Sequence, residues 1–141
     1  MKEDVHNLMK ACYNREQFYK MAAEDVLNAD YIPVFNQLEF QSRQFISELE
    51  AVTGVDFTLR EEESFLKEFV QMVNEVKETF YRADAKKILE KALSAEKSFL
   101  STFNSVKLDA IPEALRQRQI RYAEENYKKL KKLYESQTVN Y

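Results

Sequence analysis

Apolar side chains recur at i, i+3, i+4 and i+7 along most of the chain, with mainly charged positions between them, a pattern that predicts long amphipathic helices and no strands. The first predicted helix covers about residues 3–27, with Val5, Leu8, Met9, Cys12, Tyr19, Ala22, Ala23, Val26 and Leu27 on one stripe. It stops at "NAD" (28–30), where Asp30 can cap a second helix over about 31–53, and Pro33 falls in its first turn, where a missing N–H costs little. That helix carries Tyr31, Val34, Phe35, Leu38, Phe45, Leu49 and Val52, and Gly54 follows as its stop. The capping-box sequence "TLRE" (58–61) opens a third helix over about 59–81, whose stripe through Leu66, Phe69, Val73 and Val76 is widened by Phe65, Met72 and Tyr81. Asp84 can cap a fourth over about 84–107, with Ile88, Leu89, Ala92, Phe99, Phe103 and Val106 inward. Pro112 opens a fifth over about 112–137, with Leu115, Tyr122, Ala123, Tyr127, Leu130 and Leu133 inward.

Helices of about 25 residues span roughly 37 Å, so the expected object is a long bundle. Short links make helices one and two, and helices four and five, antiparallel hairpins. Helix three returns the chain along the bundle, so helix four enters parallel to helix two. The expectation is an all-α single domain over residues 1–141: an up-down-down-up four-helix bundle with an additional helix in the crossover between helices two and four. The segments "NREQFYKMAAED" (14–25), "QSRQFISELE" (41–50), "KKILEKALSAEKSFLSTF" (86–103) and "IPEALRQRQ" (111–119) resemble, in order and spacing, a bacterial family of ferritin-like four-helix bundles of unknown function. The resemblance implies the fold and carries no activity with it.

The stripes share one irregularity. Arg15 and Glu16 sit where the first helix should present its next apolar pair, and Gln41 and Ser42 break the second helix at about the same level. Glu96 lies between Ala92 and Phe99 in the fourth helix, and Asn126 between Tyr122 and Leu130 in the fifth. Ferritin-like di-iron proteins hold their metals at such a level, with a Glu from each of two helices and a Glu-x-x-His from each of the other two. Here the single histidine, His6, is two turns or more away, no Glu-x-x-His exists, and Gln41, Ser42 and Asn126 are neutral, poor iron ligands. The reading preferred is a metal-free polar layer in which Arg15 pairs with Glu16, Glu96 or both. Gln41 and Asn126 would satisfy the remaining donors and acceptors, and the layer would set helix register. The bland alternative is that the stripe swings by one position and these side chains reach water.

Composition narrows the function classes. The 141 residues include one Gly, two Pro and one Cys, so turn-rich β structure and an intrachain disulfide are excluded. Cys12 lies on the apolar stripe as a small hydrophobe. The net charge of −3 argues against nucleic acid, and "YKKLKKLYES" (127–136) reads as the cationic end of a helix. No apolar run is long enough to span a membrane and "MKEDVHNLMK" has no signal-like core, which makes the cytoplasm the default. There is no glycine-rich phosphate loop, and one histidine supports no conventional triad.

These readings favour a non-enzymatic structural or interaction protein without a cofactor. The alternative is a metal-dependent oxidoreductase or iron-handling protein with an unusual carboxylate set. A surplus of apolar side chains, Phe65 and Met72 on the third helix and Phe40 on the outer face of the second, also predicts a homodimer.

Overall fold

The computed structural model describes residues 2–56, 71, 74, 85–106 and 111–139. Among the described residues there are four α-helices and no strand: α1 (Lys2–Asp25), α2 (Ile32–Thr53), α3 (Ala85–Ser105) and α4 (Glu113–Val139), with a 3-10 turn at Ala29–Tyr31. The predicted third helix lies outside them except for Gln71 and Asn74, both helical and exposed, and so do "TLRE" and Asp84.

The helix ends follow from local chemistry. The Val26 N–H still reaches the Ala22 carbonyl at 3.0 Å, but α1 is over by then. The cap that follows is Asn28, not the expected Asp30: its side chain accepts from the Asp30 N–H at 2.9 Å and starts the 3-10 turn. Pro33 occupies the first turn of α2, where no intrahelical donor is lost. At the other end Gly54 adopts φ +70° and donates to the Glu50 carbonyl at 2.9 Å. Thr53 assists there, its hydroxyl donating to Leu49 O and accepting from Val55 N–H.

α1 packs on α2, α3 packs on α4, and α1 also contacts α3. The core divides into two clusters along the bundle. One gathers the start of α1 (Val5, Leu8, Met9, Cys12), the end of α2 (Phe45, Ile46, Leu49), the end of α3 (Phe99, Phe103) and the start of α4 (Leu115, Ile120). The other gathers the end of α1 (Tyr19, Ala22, Val26), the start of α2 (Phe35, Leu38), the start of α3 (Ile88, Leu89, Ala92) and Leu130 of α4. Between them lie the buried polar residues Arg15, Ser42 and Glu96.

Three positions expected inward are exposed. Leu27 (66 %) follows the end of α1, so the helical stripe no longer governs it. Val52 (47 %) lies in the last turn of α2, where it only borders an open depression shared with Pro112 and Leu115 at the start of α4. Tyr122 (43 %) yields its place on α4 to Gln119, Ile120 and Ala123, all buried.

Candidate functional site

At mid-height all four helices send polar side chains to one point. Arg15 of α1 is the hub. Its Nη2 donates to Glu96 Oε1 at 2.8 Å, and its Nε reaches both carboxylate oxygens, at 3.0 and 3.2 Å. Nη1 donates to Ser42 Oγ at 2.9 Å, and Nη2 also donates to Gln41 Oε1 at 3.0 Å. Gln41 Oε1 accepts in addition from Asn126 Nδ2 of α4 at 2.5 Å, so one amide oxygen joins α1, α2 and α4. The Ser42 hydroxyl donates its own proton back to the Leu38 carbonyl at 2.9 Å. Tyr19 OH donates to Glu96 Oε1 at 2.6 Å. The planar guanidinium is thus met by acceptors from two facing helices, which a lysine ammonium could not match with the same fork.

This ion pair is buried, with side-chain exposures of 3 % for Arg15 and 0 % for Glu96. Desolvation of two charges is costly, and here several hydrogen bonds and three ring faces offset it. The guanidinium carbon lies 5.0 Å from the ring centroid of Phe99, 5.4 Å from Tyr19 and 5.5 Å from Phe45. Burial is the largest influence and disfavours the charge on Arg15, but the charge and hydrogen bond of Glu96, with Tyr19 and Cys12 adding to them, together outweigh it and hold the guanidinium protonated above its ordinary range. Burial, reinforced by Glu96 and only partly opposed by Arg15, raises the Tyr19 phenol well above its usual value. Nearby Cys12 is pushed up by burial to about 12, which leaves an inert thiol.

Glu16 departs from the expected layer. It turns towards the α1/α2 edge, where its carboxylate lies 3.5 Å from Arg43, and Arg43 also approaches Glu39 at 3.6 Å. Partial burial raises the Glu16 carboxyl, with Arg43 opposing and Glu39 adding to the shift. The reason is rotational: adjacent helix positions point about 100° apart, so with Arg15 aimed at Glu96 of α3 the Glu16 side chain falls at the α1/α2 edge beside Arg43. Phe40 is 55 % exposed, and Phe65 and Met72 lie outside the described residues.

A second polar bridge went unread in the sequence. Arg118 of α4 donates to Glu48 of α2 at 2.6 Å, and fully buried Gln119 donates to Glu48 Oε1 at 3.0 Å and to the Phe45 carbonyl at 3.3 Å. Gln119 stands four residues after Leu115 and four before Ala123, a spacing that marked it as inward. Tyr19 was read only as apolar, although its hydroxyl completes the Glu96 shell.

The donor set does not suit a dimetal centre. The central point holds one carboxylate, neutral amide and hydroxyl oxygens, and a guanidinium that repels a dication. Among the described residues no three His, Cys, Asp or Glu side chains group as metal ligands. Likewise no helix among them is long and apolar enough to cross a membrane. Neither the curated proteins nor the solved structures gave a match to this chain. A family described as a domain of unknown function (DUF2383) matches residues 2–109, which include α1, α2 and α3 with Arg15, Gln41, Ser42 and Glu96, and the chain belongs to that family.

Proposed function

We propose that this protein is a metal-free, ferritin-like bundle of up-down-down-up order with a structural or protein-interaction role. In this reading the Arg15 guanidinium takes the place a metal pair occupies in di-iron bundles of that architecture. Support for the order comes from the two core clusters, each of which joins the beginnings of α1 and α4 to the ends of α2 and α3, or the reverse. The observation that carries the functional reading is the Arg15–Glu96 pair at 2.8 Å, in which the one central carboxylate is already neutralised by a cation of the chain. Its role is to set helix register, because Arg15 finds Glu96, Ser42 and Gln41 together only when α1, α2 and α3 are aligned at one level. Bacterial origin is what the sequence resemblance implies, and the cytoplasm is the default location.

Anaerobic titration with Fe(II) or Mn(II), followed by calorimetry and then by absorbance on admitting oxygen, tests this. The expected outcome is no saturable binding of one or two equivalents and no oxygen-dependent band. Stoichiometric binding that Glu96→Ala or Glu16→Ala abolishes would overturn the reading in favour of a metal-dependent oxidoreductase or iron-handling protein.

A further inference from the structure

α1 packs closely on α2 and α3 on α4, whereas α1 and α3 touch more sparsely and leave a cleft of about 310 Å³ between them. α1 lines it with Ala11, Asn14, Arg15 and Phe18, spaced i, i+3, i+4 and i+7, and α3 with Ala95, Ser98 and Phe99, so one face of each helix looks onto the gap. The Arg15–Glu96 pair fixes the level of these two antiparallel helices, and counting from it sets Asn14 near the level of Ser98 and Phe18 near that of Ala95. The small side chains of Ala11 and Ala95 make the room. The rings are held from behind: Phe18 meets Tyr19 edge-on at 5.2 Å, and Phe99 stacks on Phe45 at 6.2 Å and meets Phe103 edge-on at 5.1 Å. The cleft is therefore preformed, with walls of methyl and aromatic groups.

Its polar chemistry is sparse and specific. The buried Asn14 Oδ1 accepts no hydrogen bond among the described residues, an arrangement that costs free energy until a donor is supplied. Turning the amide about its last torsion brings this oxygen into the cleft and breaks no bond made to it. Arg15 is the one charged group among the described lining residues, and Glu96 already neutralises it.

We propose that this cleft binds a small, neutral, planar aromatic molecule carrying one N–H or O–H, with its ring between Phe18 and Phe99 and its donor on Asn14 Oδ1. Each part of that description follows from the lining. An anion would have to displace Glu96 from Arg15, and a cation would meet the guanidinium. A saturated ligand forgoes the edge and face contacts of the two rings, and one without a donor leaves the Asn14 oxygen unpaired. The volume is at the small end of ligand pockets and admits one or two fused rings, not a nucleotide.

Indole and its isostere indene, which has the same shape without the N–H, are the probes, and backbone amide NMR shifts of the full chain are the readout. Indole should give a saturable, one-site shift centred on residues 11–18 and 95–102, with a Kd of roughly 0.1–1 mM for so few atoms. Indene should bind about three- to tenfold more weakly, and Asn14→Ala should erase that preference. Ala95→Leu, which narrows the cleft, should weaken both probes at least ~tenfold with helicity by circular dichroism unchanged, while Ala51→Leu at the separate α2/α4 depression should change neither. No saturable shift overturns the proposal, as do shifts centred on Ala51, Val52 and Ala114 or binding indifferent to Ala95→Leu. Equal affinity for indole and indene in the wild type overturns the hydrogen bond to Asn14. If Ala95→Leu loses helicity, Ala11→Leu narrows the cleft from the opposite wall with the same expected loss, and the wild-type shift map decides on its own where the probe sits.

Discussion

A buried charge is stable only with its partner, and this makes Glu96 the most sensitive side chain of the polar layer. Glu96→Ala leaves the Arg15 guanidinium uncompensated and should cost about 3–5 kcal/mol, whereas Glu124→Ala on the exposed face of α4 should fall within about 0.5 kcal/mol of wild type. Urea titration measures both, and equal effects would contradict the geometry. Replacing the pair together, as Arg15→Met with Glu96→Gln, should cost less than the sum of the single changes, since neither charge is then stranded. Cys12 gives a pH test. An unfolded thiol titrates near 9 and the folded one near 12, so the folded state favours the protonated form. Its contribution is fully present below about pH 9 and is lost as pH rises towards 12, and the Tyr19 phenol acts in the same direction. Stability should therefore decline between pH 9 and 12, less steeply in Cys12→Ala, and at neutral pH a thiol reagent should modify Cys12 only at the rate of unfolding.

For the elements, the stop signals matter more than the stripes. Gly54 closes α2 at φ +70° with open space around its missing Cβ, so Gly54→Ala introduces backbone strain without a clash. The expected loss is about 1–2 kcal/mol, measured by thermal or urea unfolding. Leu27 and Val52 show the limit of reading stripes from sequence, because helical periodicity predicts which way a side chain points and not whether a neighbouring element covers it. Asp30 was the expected cap, but the chain enters a 3-10 turn before α2, and the residue that caps that turn is Asn28.

For the whole molecule, the two apolar clusters on either side of the polar layer should respond independently. Phe103→Leu in one and Ile88→Val in the other should each cost about 1 kcal/mol and add within about 0.5 kcal/mol. By contrast, Arg15→Met and Phe99→Ala should couple, because the guanidinium carbon lies 5.0 Å from the Phe99 ring. Additive behaviour of that pair in a double-mutant cycle would show that the ring faces contribute nothing to holding the charge.

Amphipathic periodicity, two prolines and one glycine determined that the chain is helical, where α2 begins and ends, and that its helices carry polar residues at a common level. Those properties are local, since side-chain direction along a helix follows from a fixed rotation per residue. Only the tertiary structure decided that Arg15 chooses Glu96 over Glu16, because the choice depends on which helix lies opposite and how far each is rotated about its axis. The same holds for Gln119, whose polarity hid a buried place, and for Tyr19, whose hydroxyl acquires a role only when α3 brings a carboxylate within 2.6 Å. Partners 77 or 81 residues apart in the chain, such as Tyr19 and Arg15 with Glu96, leave no periodic trace in the sequence because packing, and not spacing, brings them together.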